Sequence, residues 1–340
     1  MLDVEAALAR ALQRLGELTA READAVVAAC EAGADPAQLD TAANASPVVG
    51  LARILRERAG DAAHRGATSQ DILDTALMLV ARRALEPLAD DARAAADAAA
   101  KLARAHRDTP VMARTLLQHA LPTSFGLKAA GWMHGIDEAA AGLDAAREEV
   151  LAVQMGGPVG HRSPEVAAEV AADLGLTEPV LAWHGNRTRP AALAAALGVL
   201  AGALAKVARD VTLLAQGEVG EVREGGAGGA SSAMAHKRNP VASVSVLACA
   251  ARVPGLAATV LSGMAGEHER AAGAWQAEWG TLTELLRLTG SAAAWARELL
   301  EELEVDTDRM RENLKGAEPD LGASGELVDR ALLAHGGARR

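Results

Sequence analysis

The sequence predicts an all-α protein: an elongated bundle of five long helices with a small helical domain at its amino end, oligomerising through the bundle. Three observations carry this. Apolar residues recur at helical spacing along most of the 340 residues. Alanine is abundant while phenylalanine occurs once and tyrosine not at all, a bias towards close-packed helices over sheets. The stretches joining the periodic segments are short or glycine-rich, as links between bundle helices are.

Residues 2–15 and 20–33 alternate apolar and charged positions and form a helical pair. The loop Asn44-Ala45-Ser46-Pro47 precedes a helix at 48–59. In His64-Arg65-Gly66-Ala67-Thr68-Ser69-Gln70-Asp71, Thr68 or Ser69 is placed to cap a helix over 70–107, which Pro87 kinks or breaks. Four more long helices are expected at 122–154, 190–216, 240–265 and 275–304. The tail is polar, with a turn at Glu318-Pro319-Asp320 and a last helix near 325–334. The chain thus divides into an N-terminal helical domain (1–86), a central bundle (87–304) and an abbreviated C-terminal segment (305–340). A lone bundle buries one stripe per helix, yet 191–204 carries no charge on any face. That surplus predicts that copies of the bundle pack together.

Half of the residues are hydrophobic, enough for a sizeable core. The net charge of −11 argues against nucleic acid or an anionic membrane as the main partner. An anionic substrate then needs locally collected positive charge. Cys30 and Cys249 stand apart and fit a reducing cytoplasm. Residues 1–15 read as an amphipathic helix, not as a secretory signal. The most apolar stretch, 191–205, meets Lys206 before the ~20 residues a membrane span needs, and reads as a buried core helix.

The chemistry concentrates in Gly228-Gly229-Ala230-Ser231-Ser232-Ala233-Met234-Ala235-His236-Lys237-Arg238-Asn239-Pro240. Small residues let the backbone bend tightly. Asn239 is a good cap and Pro240 fits a first helical turn. The amino end of the next helix should present free N–H groups to an anion such as a carboxylate.

This loop resembles the GSSxMPxKxN signature of the fumarase/aspartase superfamily. It departs twice: Ala230 is inserted before the serine pair, and Ala235 replaces the proline. His64–Asp71 and Arg114-Thr115-Leu116-Leu117-Gln118-His119-Ala120-Leu121-Pro122-Thr123 resemble the superfamily's two other conserved regions, in the same order. The stretches from His64 to Ile72, from Glu218 to Val222 and from His268 to Trp279, with Trp183, His184, Arg187 and Arg189, resemble the 3-carboxy-cis,cis-muconate cycloisomerase branch.

The resemblance implies a cytoplasmic homotetramer whose sites each draw three regions from three subunits, with a small polycarboxylate substrate and no cofactor. It implies Ser231 as the catalytic serine. His64 stands beside it as the second catalytic candidate, near a substrate carboxylate; the other reading of His64 is a side chain pinning its loop. Thr68, Ser69, Gln70, Arg114, Thr115, Gln118, Ser232, Met234, Lys237, Asn239 and Arg270 are the expected substrate-binding set. His119, His161 and His268 have no metal-ligand spacing, and no metal is expected.

The branch's reaction adds one substrate carboxylate across a double bond and puts a proton on the carbon next to another carboxylate. A carbanion beside a carboxylate is a dianion, so the site must supply fixed positive charge and N–H donors. Lys237, Asn239 and the helix end are placed to do so. A serine can act as base only where its alkoxide is stabilised. Leu116 stands where many superfamily lyases place a histidine. Poor leaving groups need a proton from such an acid, whereas a carboxylate, with a pKa of ~4, needs none. This counts against an adenylosuccinate-lyase-like elimination.

The chain is short for this family: it begins within the expected first long helix and near 315 skips most of a small third domain. With Ala235, and Ser46 where relatives carry asparagine, the alternative to an active cycloisomerase is a weak or silent structural paralogue.

Overall fold

A computed structural model describes residues 1–226 and 228–337. Helix α1 (Leu2–Arg14) and helix α2 (Ala20–Glu31) are the expected pair. Thr19 starts α2 through a capping box: its hydroxyl accepts from Glu22 N–H, and the Glu22 carboxylate accepts from Thr19 N–H. A short α3 (Thr41–Asn44) leads to α4 (Pro47–Ala59), where Ser46 Oγ accepts from Val48 N–H and Pro47 fills the first turn. Ser46 is therefore a working cap.

Helix α5 (Ser69–Ala105) runs for 37 residues straight through Pro87. Buried Leu85 and Leu88 on either side hold it together against the ~3 kcal/mol that an interior proline costs. The next segment differs from expectation. Residues 110–124 form an antiparallel hairpin, β1 (Pro110–Thr115) and β2 (Gln118–Ser124), with Thr115 opposite Gln118. The helix expected from residue 122 begins instead at Phe125, as α6 (Phe125–Val150), and Ser124 caps it by accepting from Leu127 N–H. Pro122 biases its predecessor towards extended backbone, which favours strand here. The two-residue turn uses Leu116 and Leu117, both left-handed at φ 50° and 64°. Asn-Gly is the usual signal for that turn, so nothing in Leu-Leu announced it.

Helix α7 (Pro164–Leu174) was not anticipated. Helix α8 (Thr188–Leu214), strand β3 (Val222–Glu224), helices α9 (Val241–Ser262) and α10 (Ala274–Glu301), strand β4 (Leu303–Val305), and helices α11 (Thr307–Asn313) and α12 (Ser324–Gly337) complete the chain. Strands β3 and β4 pair antiparallel, with Glu224 opposite Leu303. The five long helices are α5, α6, α8, α9 and α10, and the two short strand pairs are additions to an otherwise helical fold.

The residues form two compact units. The first comprises Met1–Ala84, Ala146–Ala194 and Leu256–Glu284. Its core joins Leu8, Leu12, Leu51, Leu55, Ile72 and Val170. The second comprises Leu85–Ala145, Ala195–Gly255 and Leu285–Arg340, of which 338–340, the end of the expected C-terminal segment, lie outside the described residues. There Phe125 is wholly buried, edge-on to His106 and Trp132, and Trp132 Nε1–H donates to Asp210.

One expectation is corrected. The apolar stretch beginning near 191 belongs to a helix of 27 residues, so α8 and also α9 are long and apolar enough to cross a membrane. Half of α8's most apolar window is buried within this chain, but only 28% of α9's is. Val199, Val241, Val244 and Leu261 are exposed on them.

Candidate active site

The signature loop closes on itself. Gly229 C=O accepts both Asn239 N–H (2.7 Å) and Asn239 Nδ2–H (3.2 Å), and Ala230 bridges Arg238. Gly229 is required there: its φ is +84°, and a Cβ would stand 2.5 Å from Asn239 O. Asn239, expected to bind substrate, has its side chain in this neck. Ser231 lies just beyond it, half-buried, with Oγ accepting from Ala233 N–H (3.3 Å) and Met234 N–H (3.2 Å). Two backbone donors at one hydroxyl oxygen are what a serine alkoxide needs. Ser232, Met234, His236, Lys237 and Arg238 are exposed around the tip, three of them cationic or able to become so.

The amino end of α9 is not free, contrary to expectation. The Glu224 carboxylate accepts from Ala242 N–H (2.9 Å), Ser243 N–H (2.8 Å) and Ser243 Oγ–H (2.6 Å). The donors that were expected to meet a substrate anion are satisfied from within, and the exposed positive charge on this loop is that of Lys237 and Arg238. Glu224, Asn239 and Arg238 also line a cleft of about 650 Å³ bounded by Trp295, Glu298 and Glu302.

In the same unit, Arg114 is held by Glu221, and Asn313 Nδ2–H donates to the same carboxylate at 2.8 Å. Thr115 and Gln118 are exposed on the hairpin, beside Leu116 (96% exposed) and Leu117 (73%). Lys128, at the start of α6, has its pKa lowered by burial.

The remaining residues belong to the first unit. His64 Nδ1 meets the buried Glu5 carboxylate at 2.6 Å, which pins the loop before α5. Thr68 N–H donates to Asp71, and Ser69 is half-buried at the first turn. Asp71 is wholly buried and also accepts from Gln154 Nε2, Gly156 N–H and Gly157 N–H, with His184 Nε2 3.0 Å away. Gln70 is buried too. Its Nε2 donates to Asp74 (3.0 Å) and His184 O (2.9 Å), and its Oε1 accepts from Arg270 Nε at 3.2 Å. Arg270 NH2 also donates to Pro158 O.

Behind this lies a buried ionic cluster. Arg187 donates to Asp74 (2.7 Å) and Glu278 (2.6 Å), and Trp275 Nε1–H donates to Asp74 (2.9 Å). Burial opposes the charge on Arg187, but Asp74 and Glu278 outweigh it and raise its pKa. Sequence reasoning named Arg187 and quoted the stretches that contain Asp71, Glu221 and Glu278 without giving those carboxylates a part, and it missed Asp74 and Glu224. Asp71 and Asp74, buried on the apolar-spaced face of α5, were the available signal. Among the described residues no three His, Cys, Asp or Glu side chains gather as metal ligands.

The sequence pattern of a family described simply as lyase matches residues 1–255. The chain belongs to the lyase family of the fumarase/aspartase superfamily. Among relatives of this lyase, a 3-carboxy-cis,cis-muconate cycloisomerase of Pseudomonas aeruginosa is 45% identical over 92% of this chain and 72% of its own. A nitrosuccinate lyase of Streptomyces davaonensis is 44% identical over 98% of this chain and 74% of its own. The solved 3-carboxy-cis,cis-muconate lactonizing enzyme of Pseudomonas putida superposes with a TM-score of 0.92 at 32% identity, covering all of this chain and 94% of that one. This lyase is an enzyme by family.

Proposed function

We propose that this lyase is a cofactor-independent 3-carboxy-cis,cis-muconate cycloisomerase, forming 4-carboxymuconolactone in protocatechuate degradation by the β-ketoadipate route. The observation that carries the reading is Ser231, whose oxygen receives two backbone donors on a loop carrying Lys237 and Arg238. Relatives bearing that name at 40–45% identity over 92% of the chain support it.

In the forward direction one substrate carboxylate oxygen adds across a conjugated double bond. Electron density moves to the carbon beside another carboxylate, giving a dianion that Lys237 and Arg238 oppose. Ser231 Oγ–H gives its proton to that carbon. The alkoxide left behind is held by Ala233 and Met234 N–H until water reprotonates it. Three carboxylates become two and a lactone, so each turnover takes one proton from solvent. A carboxylate nucleophile needs no general acid, and Leu116 supplies none.

The working unit in this reading is a cytoplasmic homotetramer with sites shared between subunits, a small polycarboxylate its substrate. The exposed apolar residues of α8 and α9 support assembly, and two free cysteines support a reducing compartment. The division into 1–86, 87–304 and 305–340 is the proposed correspondence to the superfamily's domains.

A second reading is elimination from nitrosuccinate, favoured by the Streptomyces relative, whose alignment spans nearly the whole chain. A nitro group leaves as a weakly basic anion, so Leu116 does not discriminate. The test offers both substrates. Loss of the diene ultraviolet absorbance of 3-carboxy-cis,cis-muconate, with one solvent deuterium gained at carbon, supports cycloisomerisation. Nitrite release with an unchanged diene transfers the assignment to the second reading.

A further inference from the structure

We propose that Glu224 is the positioning residue that sets the signature loop, acting as a cross-loop clamp between the end of β3 and the amino end of α9. The inference rests on the assignment of Ser231 as the proton donor. Glu224 itself need not touch substrate.

Glu224 ends β3, where it is anchored opposite Leu303 of β4. Its carboxylate spans the loop's base to the first turn of α9, taking Ala242 N–H, Ser243 N–H and the hydroxyl of the fully buried Ser243. On the β side, Gly225 N–H donates to Glu302 C=O at 3.0 Å. One tier above, Asn239 closes the neck on Gly229. Ser231 and Lys237 are therefore carried on a loop whose two ends are fixed at two levels, and the lower fixture is one carboxylate. Without it the loop keeps its neck and the Gly225–Glu302 backbone bond but loses its tie to α9, whose first turn is left with unsatisfied donors.

The clamp also directs binding. A helix amino end attracts carboxylates, and here it lies beside a cleft of about 650 Å³. By filling that end, Glu224 removes a competing anion site behind the loop and leaves the substrate to the exposed cations in front. The chemistry of the clamp is thus that of a resident carboxylate, and a small carboxylate should replace it.

The test is chemical rescue of the full-length oligomer. Glu224→Ala should lower kcat by about a hundredfold, the size of an ~1 Å misplacement of a reacting group, with KM changed far less. Formate should restore kcat in a saturable way, while formamide and sodium chloride at equal ionic strength should not. Hydrogen–deuterium exchange gives a readout free of turnover: amides of residues 228–240 should exchange faster in Glu224→Ala and slow again with formate. Parental kcat, or loop exchange that neither rises in the variant nor falls with formate, would overturn the clamp. If Glu224→Ala does not fold, Glu224→Gln decides: it keeps the shape but sets an amide against two N–H groups, and an unchanged kcat in the folded variant overturns the proposal. Failure of the parent on 3-carboxy-cis,cis-muconate would count against the assigned reaction, while loop exchange would still judge the clamp.

Discussion

Arg114 and Glu221 are joined by a two-pronged ion pair, with nitrogen–oxygen distances of 2.8 and 2.7 Å. Glu221 is wholly buried, so the guanidinium is the main compensation for a charge removed from water. The charge of Arg114 is thereby spent inside the chain, although its place in the sequence resembled a substrate ligand.

Arg114→Ala should therefore cost about 3–5 kcal/mol of stability, the size expected for stranding a buried partner. Arg114→Met with Glu221→Leu should recover part of the loss, because it removes both charges and leaves only the Asn313 amide N–H without its carboxylate acceptor. Urea midpoints of the singles and the double provide the check. A parental midpoint in Arg114→Ala, accompanied by lost turnover, would return Arg114 to the substrate.

Gln70 and Arg270 should behave as one unit. Both donors of the Gln70 amide are taken by Asp74 and His184 O, and its oxygen holds Arg270 Nε. Gln70→Ala and Arg270→Ala are each expected to raise KM by about tenfold, the worth of one hydrogen bond to a charged group. The double variant should be no worse than Arg270→Ala alone, since contacting residues are not additive. Full additivity in steady-state kinetics would mean that Gln70 reaches the substrate by itself.

Most of this fold could be read from the chain because its signals were local. The periodicity of 2–15 and 20–33, Pro47 and the apolar length of 188–214 each mark a helix without help from distant residues. The hairpin was missed because its turn is Leu116-Leu117, which lacks the glycine or asparagine that normally announces left-handed backbone. The loop at 228–240 could be found from its residue order, but what fills the helix end could not. Glu224 is far from Ala242 in sequence, and nothing in either residue says that they meet. The same holds for Gln70 and Arg270, which are brought together only by the fold.

Cys30 should be inert in the folded protein. Burial, reinforced by the nearby Glu5 charge, pushes its thiol up to about 12. At pH 8 a thiol reagent should label the half-buried Cys249 and spare Cys30 until the protein is denatured. The sign of the pH effect comes from the same shift. An unfolded thiol ionises near 9.0 and the folded one only near 12, so the contribution from keeping it neutral is complete below pH 9 and is lost as pH rises towards 12. Cys30→Ala should flatten the alkaline decline in the urea midpoint over that interval. Labelling of native Cys30 as fast as a free thiol would contradict its burial.

Ser231→Ala should abolish turnover with the helical circular-dichroism signal and the oligomer retained, because the loop that holds it is half exposed and loses only one acceptor. Gln118 lies exposed on β2, next to a hairpin tip that carries two solvent-facing leucines. An exposed apolar tip beside an exposed polar side chain is suited to meeting another subunit. If sites are shared, Gln118 and Ser231 serve different sites when they come from the same chain. Mixing inactive Ser231→Ala protein with an inactive Gln118→Ala variant, under mild dissociation and reassociation, should then return part of the activity. Some sites in mixed tetramers receive intact copies of both regions from different chains. With sites confined to single chains, every site keeps one lesion and the mixture stays inactive. Native mass spectrometry establishes that mixed tetramers have formed, and inactivity in their presence would overturn the shared-site assembly.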